Sequence, residues 1–232
     1  MKNKCKLCYH NDMDEKFFVD RLERIFRKEG YYTGREIGAG YGVADLVLVS
    51  LDTNKCSIRK GHGQSSPLLN EAFFKVLKNI PDINKRGSVE PVNLDTLIKK
   101  TKFSKGFLKY SILQELEKTG YIKMVGNNTY FKVNGWVPLA KEVIAIEAKI
   151  KDWKRGFLQA YRYKTFADNV YLAIPDDKIK CVNFEMLTKN NVGLISFNPR
   201  TDEMRVVIES KRFNPLFDHK RDFVSEFFWQ YA

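Results

Sequence analysis

The stretch "VIAIEAKIKDW", residues 143–153, places a carboxylate and an ammonium group inside an otherwise apolar segment. Consecutive apolar residues from Val143 to Ile146 predict a strand that is buried on both faces. Alternate side chains of an extended chain leave on the same face, so Glu147 and Lys149 should project together, roughly 7 Å apart along the strand. Burial of charge is costly unless the charges are paired, which makes this strand end a candidate site. A purely structural ion pair is the alternative explanation.

A second apolar strand carries a similar acidic interruption. In "VADLVLV", residues 43–49, Asp45 is the only charged residue. If the two strands are neighbours, Asp45 and Glu147 bring two carboxylates to one edge of a sheet. Carboxylate oxygens are the preferred ligands of hard cations, so this pair predicts a site for Mg²⁺.

The composition indicates a globular protein with a polyanionic partner. The chain has 232 residues, of which 44% are hydrophobic, and a formal net charge of +12. Such a charge favours nucleic acid as the partner. The basic start "MKNKCKLCYHND" lacks the apolar core of a secretory signal, and no later apolar run is long enough to span a membrane. We expect a soluble, cytoplasmic protein with no membrane partner.

The order of the predicted elements indicates an α/β fold in two discontinuous parts. A helix over residues 14–28 precedes a strand pair, and residues 51–66 are predicted to form a turn or an exposed linker. After residue 135, strands alternate with helices, and the aromatic-rich end predicts a docked terminal helix that could also serve a homodimer interface. The predicted divisions are an N-terminal tail (1–12), a first core part (13–65), an insertion (66–135) and a second core part (136–232).

The insertion has the element order helix, helix, helix, hairpin. Ser104 is a plausible N-cap for the third helix, Gly120 ends that helix, and a Gly-Asn-Asn turn divides the alternating residues 121–133. This order resembles a winged-helix domain, a helix-turn-helix followed by a β-hairpin. The resemblance implies that the helix from Ser104 is a recognition helix and that the hairpin is the wing.

The core resembles the PD-(D/E)xK nuclease superfamily. The resemblance is carried, in chain order, by an acidic first helix, Asp45, the triplet Glu147-Ala148-Lys149, and Gln159 with Tyr163 on the next helix. Two features depart from the family pattern. Ala44 stands where the motif has proline, and Asp45 and Glu147 are 102 positions apart. Removal of the predicted insertion largely restores the usual spacing, so the resemblance implies a restriction-endonuclease-like mixed sheet flanked by helices, with a winged helix inserted.

The resemblance also implies metal-assisted hydrolysis of a phosphodiester bond. Asp45, Glu147 and the carbonyl group of Ala148 would hold one or two Mg²⁺ or Mn²⁺ ions. Lys149 would orient or help deprotonate the attacking water and stabilise the phosphate. Gln159 would position that lysine, the water or the substrate backbone, and Tyr163 is left with a packing role.

The acidic residue of the first helix has two candidates. Glu15 shares a helical stripe with Phe18 and Leu22, which predicts that it faces the sheet. Alternatively, Asp12 and Glu15 form a variant capping box at the helix start. Glu23 is the weaker candidate and is expected to be solvated.

Basic residues are concentrated in the predicted insertion. Residues 66–135 contain 12 Lys or Arg and 6 Asp or Glu, which gives this segment half of the net charge. Such charge suits contacts with DNA phosphates, although a protein partner or ordinary surface charge would also account for it. The predicted nucleic-acid contacts are Lys105, Lys109, Tyr110, Lys123, Asn127, Asn128 and Lys132 in the insertion, and Arg155 and Arg162 beside the candidate site.

The expected function is Mg²⁺-dependent cleavage of duplex DNA. An endonuclease is favoured over an exonuclease because a duplex-docking module suits internal binding. A DNA-binding regulator whose nuclease fold has lost activity, or a nuclease directed at RNA, would share these features. Cys5 and Cys8 supply half of a zinc site at best, so zinc is not expected.

Overall fold

The computed structural model describes residues 14–38, 42–83, 87–229 and 231 of the chain. The architecture is mixed α/β, as predicted, with a mixed sheet flanked by helices and a smaller second sheet. The helices are α1 (Glu15–Lys28), α2 (Thr53–Gly61), α3 (Glu71–Lys78), α4 (Leu94–Thr101), α5 (Gln114–Lys118), α6 (Trp153–Arg162), α7 (Phe184–Lys189) and α8 (Asp218–Trp229). The strands are β1 (Tyr32–Gly38), β2 (Val43–Leu51), β3 (Val92–Asn93), β4 (Ile122–Val125), β5 (Thr129–Lys132), β6 (Ala140–Ala148), β7 (Asn169–Pro175), β8 (Gly193–Asn198) and β9 (Glu203–Ile208). No helix in the described ranges is both long and apolar enough to cross a membrane.

The larger sheet has six strands in the order β1-β2-β6-β7-β8-β9. The central β6, β7 and β8 run parallel, whereas β1, β2 and β9 pair antiparallel with their neighbours. Five consecutive residues of β6, from Ile144 to Ala148, are buried, which confirms the prediction of a strand covered on both faces. The connecting helices α6 and α7, together with α8, pack on one face of the sheet, and α1 packs on the other.

Helix α1 packs its apolar stripe on one face of this sheet. The carboxylate of Asp14 caps the helix and accepts a hydrogen bond from the backbone N–H of Phe17 at 2.6 Å. Phe18 and Leu22 are fully buried in a cluster with residues of β2 and β6. This packing holds the first turn of α1 close to the end of β6.

Residues 67–135 contain three helical segments and a hairpin, in the order predicted. A π-helical stretch, Phe107–Leu113, runs directly into α5, and the sheet adds the short β3 in the order β3-β5-β4. The predicted Ser104 cap is present, because its Oγ accepts a hydrogen bond from the backbone N–H of Phe107 at 3.3 Å. These elements share an apolar cluster of their own, which includes Phe74, Leu97 and Ile112.

The terminal helix α8 is docked, as predicted, and contacts the larger sheet, on the face opposite α1, and the smaller unit. Val224 and Phe228 are buried in the core of the larger sheet. Phe223 packs instead against the cluster of the smaller unit. The helix therefore ties the two units together.

The prediction of a turn or exposed linker over residues 51–66 was wrong. Most of this segment is α2, whose N-cap Asp52 accepts hydrogen bonds from the backbone N–H groups of Asn54 and Lys55 at 3.0 and 3.1 Å. Arg59 of this helix is fully buried against Glu226 of α8. The polar composition concealed the helix because the charge that permits burial of Arg59 lies 167 residues away.

Candidate active site

The antiparallel register of β2 and β6 brings the two predicted carboxylates together. Leu46 pairs with Ile146, so continuation of the register by one residue places Asp45 opposite Glu147. Oδ2 of Asp45 accepts a hydrogen bond from the backbone N–H of Ala148 at 2.8 Å. The two carboxylates are near enough that, in addition to burial, the charge of Asp45 raises the pKa of Glu147. Sheet pairing thus joins residues that are far apart in sequence.

Lys149 follows β6 directly and contacts three carboxylates. Its Nζ atom lies 2.9 Å from Glu147 Oε1, 3.1 Å from Glu15 Oε2 and 3.8 Å from Asp45 Oδ2. The same ammonium group donates to the carbonyl oxygen of Ala148 at 3.0 Å. Only 11% of the side chain is exposed. The structure therefore brings together Glu15, Asp45, Glu147 and Lys149.

Burial dominates the electrostatics of the two carboxyl groups. Burial raises the pKa of Glu147 to about 7, and the nearby charge of Asp45 adds to this effect against the opposing contributions of Tyr163 and Lys149. Burial likewise raises the pKa of Asp45 above its usual value. Burial alone would lower the pKa of Lys149, but its carboxylate partners outweigh that effect and raise it. Lys149 is therefore held as an ammonium ion.

Tyr163 has a polar role in the site, so the expectation of a packing role alone was wrong. Its hydroxyl group hydrogen-bonds to Oε2 of Glu147 and lies 2.7 Å from the carbonyl oxygen of Val43. Burial, followed by the charge of Glu147, raises the pKa of Tyr163, so the phenol keeps its proton. Helical spacing from Gln159 pointed to this residue, but its hydrogen bond to the buried carboxyl group was not readable from the pattern.

Gln159 lies one helical turn before Tyr163 on α6. Its side chain is half-buried. The Oε1 atom is buried and accepts no hydrogen bond within the described part of the chain. A buried amide oxygen without a partner is uncommon in folded proteins and leaves an acceptor available for a water or a ligand.

Gly156 shapes the path of the Lys149 side chain, a role that the sequence did not reveal. A Cβ atom at position 156 would lie 2.6 Å from Lys149 Cγ and 2.7 Å from Leu172 Cδ1. Because real Cβ contacts are essentially never this short, only glycine allows α6 to approach β6 and Lys149 so closely. A glycine inside a predicted helix was the only available signal.

The structure distinguishes between the two roles considered for Glu15. Asp14, not Asp12, is the N-cap, and Glu15 is the first residue of α1 with its carboxylate on Lys149. Asp12 lies outside the described residues. The capping interpretation of Glu15 was therefore wrong, and Glu15 belongs to the cluster.

Glu23 is buried, which contradicts the expectation that it is solvated. Its carboxylate accepts hydrogen bonds from Arg27, Thr33 and Arg35, the first two at 2.7 and 2.6 Å. Burial opposes ionisation, but these partners lower the pKa of Glu23 below its usual value. The residue joins α1 to β1 and is not part of the Lys149 cluster.

An open cleft gives access to the cluster from the α1 side. Its volume is about 450 Å³. Two members of the cluster, Glu15 and Asp45, line it together with Arg35 and Glu36. Glu147 is fully buried behind this opening. The cleft is large enough for a phosphate group to approach Asp45.

The donor set fits a hard divalent cation. No group of three or more His, Cys, Asp or Glu side chains within the described ranges is arranged to hold a metal. The candidate ligands are instead two carboxylates, Asp45 and Glu147, and the backbone carbonyl of Ala148. Oε1 of Glu147 is buried with the Lys149 ammonium as its neighbour and accepts no well-directed hydrogen bond. A buried oxygen in this state fits a cation that is coordinated by oxygen ligands.

The predicted nucleic-acid contacts differ in their accessibility. Exposed members are Lys105, Tyr110, Lys123, Asn127, Arg155 and Arg162, and half-buried members are Lys109 and Asn128. The inclusion of Lys132 was wrong. The side chain of Lys132 is only 4% exposed, and its Nζ lies 2.8 Å from Oδ1 of Asp82. Lys132, on β5, therefore forms an ion pair within the smaller unit and does not face solvent.

Cys5 and Cys8 lie outside the described residues. The site residues come from α1, β2, β6 and α6, in the chain order expected from the sequence.

No family model matches this chain, and no curated protein or solved structure matches it either.

Proposed function

We propose that this chain is a Mg²⁺-dependent DNA endonuclease of the restriction-endonuclease-like type, with an inserted winged-helix domain that docks on duplex DNA. The observation that carries the proposal is the convergence of Asp45, Glu147 and Lys149 at one sheet edge beside an open cleft. A buried structural ion pair requires two charges. Here four ionisable groups share one location, and two of them line a cleft.

The chemistry follows from the chain's own groups. Asp45, Glu147 and the Ala148 carbonyl would hold Mg²⁺ or Mn²⁺, which supplies an acidified water and neutralises charge on the phosphate. Lys149, as an ammonium ion, donates hydrogen bonds to the phosphate or the attacking water. Its raised pKa favours this role over removal of a proton. Tyr163 fixes the orientation of Glu147, and the free Oε1 of Gln159 is available to orient a water.

The smaller unit supplies the proposed contacts with the duplex. Its order of a helix, a short strand, two further helical segments and a hairpin suits a winged helix, with Phe107–Leu113 and α5 as the recognition helix. The exposed lysines Lys105 and Lys123 suit phosphate contacts that position the protein without reading sequence. Arg155 and Arg162 are exposed on α6, the helix that carries Gln159, and suit contacts with the DNA backbone near the proposed cleavage site.

Two alternatives give different experimental results. An inactive DNA-binding regulator would keep the fold and bind DNA without cutting it. A nuclease directed at RNA would cut a structured RNA in preference to the duplex. The intact cluster favours an enzyme over the regulator, because the desolvation of Asp45 and Glu147 is costly and adds nothing to binding alone.

Incubation with supercoiled plasmid tests the proposal. The wild-type protein should convert plasmid to nicked or linear forms with Mg²⁺ and not with EDTA, and Asp45→Asn should abolish cutting. Glu36→Gln is the matched control, since Glu36 lines the same cleft and has no contact with Lys149 among the ion pairs described. DNA binding without cutting of plasmid, branched DNA or RNA would favour the regulator. Cutting that survives in Asp45→Asn would remove the site assignment.

A further inference from the structure

The segment that runs from α4 into the proposed recognition helix is rich in lysine and contains no acidic residue between Asp95 and Glu115. Between Asp95 and Glu115 the chain has five lysines and no carboxylate. These residues are Lys99, Lys100, Lys102, Lys105 and Lys109, of which all but the half-buried Lys109 are exposed. A surface with this excess of positive charge attracts a polyanion. It attracts an ordinary protein surface, which carries charges of both signs, much less strongly.

Two aromatic rings are exposed within this basic segment. The side chain of Phe107 is 40% exposed and that of Tyr110 is 68% exposed. Leu108 and Ile112 of the same stretch are fully buried, so the rings lie on the side away from the core. Large apolar side chains scattered singly on a surface need no explanation, but two rings among uncompensated lysines are a distinct combination.

Each ring has one neighbouring group. The Phe107 ring contacts the Phe103 ring in an edge arrangement, with ring centroids 5.3 Å apart. The Nζ atom of Lys109 lies 5.6 Å from the centroid of the Tyr110 ring. The aromatic contact restricts the Phe107 ring, and both rings keep surface open to solvent. A restricted aromatic ring loses little conformational entropy when a ligand stacks on it.

The backbone at this point is also unusual. Phe107–Leu113 is π-helical, a conformation that is rare and that is found frequently at functional sites. Gly106 precedes it, and a Cβ atom there would meet no atom within 4 Å. The surface beside Gly106 is therefore open at the start of this segment.

We propose that Phe107 and Tyr110 form a stacking platform for an unpaired base, so that the preferred substrate is DNA that contains extrahelical or unstacked nucleotides. The inference rests on the proposed function, because it takes DNA as the partner of the smaller unit. The lysines hold the phosphates on either side, and the rings take the base. Base stacking on aromatic side chains is independent of sequence, because every base has a π face.

Equilibrium binding in EDTA tests the platform separately from cleavage. The probes are a short, fully paired duplex and the same duplex with one extrahelical 2-aminopurine. Wild-type protein should bind the second probe about tenfold more tightly and quench its fluorescence. Phe107→Ala and Tyr110→Ala should each lose most of this preference and keep their affinity for the paired duplex. Tyr110→Phe should retain the preference, because the ring remains.

Two control variants separate stacking from general effects. Lys105→Ala should weaken binding to both probes by the same factor, since a phosphate contact does not distinguish them. Phe184→Ala removes a ring of similar exposure on α7, 41% compared with 40% for Phe107, and should change neither affinity. Equal wild-type affinity for the two probes, or a preference that survives loss of both rings, overturns the platform and leaves plasmid cleavage untouched. If the wild-type protein prefers the probe with the extrahelical base but does not cleave plasmid, the nuclease proposal is overturned and the platform is not.

Discussion

The hydroxyl group of Tyr163 hydrogen-bonds to the Glu147 carboxylate, 16 residues earlier in the chain, and also lies 2.7 Å from the carbonyl oxygen of Val43. A phenol carries one proton, so it serves one of these acceptors at a time. When Glu147 is ionised, the hydroxyl group donates to the carboxylate and lowers its pKa, against the larger effect of burial. Tyr163 therefore stabilises the ionised form of Glu147 that metal binding requires.

Tyr163→Phe should reduce DNA cleavage at neutral pH by about tenfold, because Glu147 loses the donor that supports its charge. The free energy of unfolding should fall by about 1–3 kcal/mol, since buried oxygens lose their partner. Tyr161→Phe, two residues earlier in the last turn of α6, is the control, because Tyr161 is 46% exposed. Single-turnover cleavage and urea unfolding measure the two effects. An unchanged rate in Tyr163→Phe would show that the hydroxyl group is not part of the site.

Gly156→Ala should impair cleavage, because the new Cβ would overlap Lys149 Cγ and Leu172 Cδ1. In an open helix the same change stabilises by about 1 kcal/mol through helix propensity, so a loss of stability here isolates the steric effect. Gly61→Ala in α2 is the control, since no atom lies within 4 Å of its Cβ position. Cleavage assays measure the activity of both variants, and thermal unfolding measures their stability. Full activity in Gly156→Ala would mean that Lys149 does not need its observed path.

Glu226→Gln should destabilise the protein strongly. Arg59 and Glu226 are both fully buried, and the guanidinium group lies 5.2–5.3 Å from the ring centroids of Tyr121, Trp136 and Trp229. Removal of the anion leaves a buried cation without compensation, at a cost of about 3–5 kcal/mol. Gln retains an acceptor for the Leu68 backbone N–H, so the variant tests charge alone.

The double variant Arg59→Met with Glu226→Gln gives the control for this ion pair. It should lose less stability than the sum of the two single variants, because neither charge remains buried alone. Urea unfolding supplies all four free energies. Additive losses would show that Arg59 and Glu226 are not coupled across the junction of the two units.

Asp222 should make stability depend on pH. Burial raises its pKa from 3.8 to about 6, against the opposing effects of Trp136, Arg221 and Lys78. A carboxyl group whose pKa is higher in the folded state binds its proton more tightly there, which stabilises the folded protein. This contribution is complete below pH 3.8 and is lost as the pH rises through about 6. Asp222→Asn should therefore stabilise the protein more at about pH 8 than at about pH 4.5, by roughly 2 kcal/mol.

Urea unfolding of Asp222→Asn at the two pH values checks this sign. Asp177→Asn is the matched control, because the Asp177 side chain is 66% exposed. A stabilisation by Asp222→Asn that is equal at both pH values, or larger in acid, would contradict the account of this carboxyl group.

Much of the fold was predictable because it is encoded in local periodicity. The continuous apolar residues of β6 predicted its burial on both faces, and the stripe with Phe18 and Leu22 predicted how α1 packs. Asp45 and Glu147 could be paired from sequence because each interrupts a run of apolar residues in a strand. Antiparallel register then brings them together without any further signal.

The remaining features depend on distant partners that leave no local pattern. The sequence of α2 is typical of a polar linker, because the partner that allows Arg59 to be buried, Glu226, lies on α8. Glu23 has the sequence context of a solvated residue, but arginines of its own helix and of β1 bind its carboxylate in the structure. Lys132 was assigned to a DNA-facing wing, but its strand directs it inward to Asp82. In each case one partner of the buried charge lies on another element, namely Glu226, Arg35 or Asp82, and sequence spacing does not identify it.

The most direct test compares Lys149→Ala with Lys151→Ala in single-turnover cleavage of DNA with Mg²⁺. Both substitutions remove one positive charge near the end of β6, but Lys149 contacts Glu15, Asp45 and Glu147, whereas Lys151 is exposed. We predict at least a hundredfold loss of rate for Lys149→Ala, equivalent to about 2.7 kcal/mol in the barrier, and less than a twofold change for Lys151→Ala. Equal rates in the two variants would contradict the claim that this cluster cleaves the phosphodiester bond.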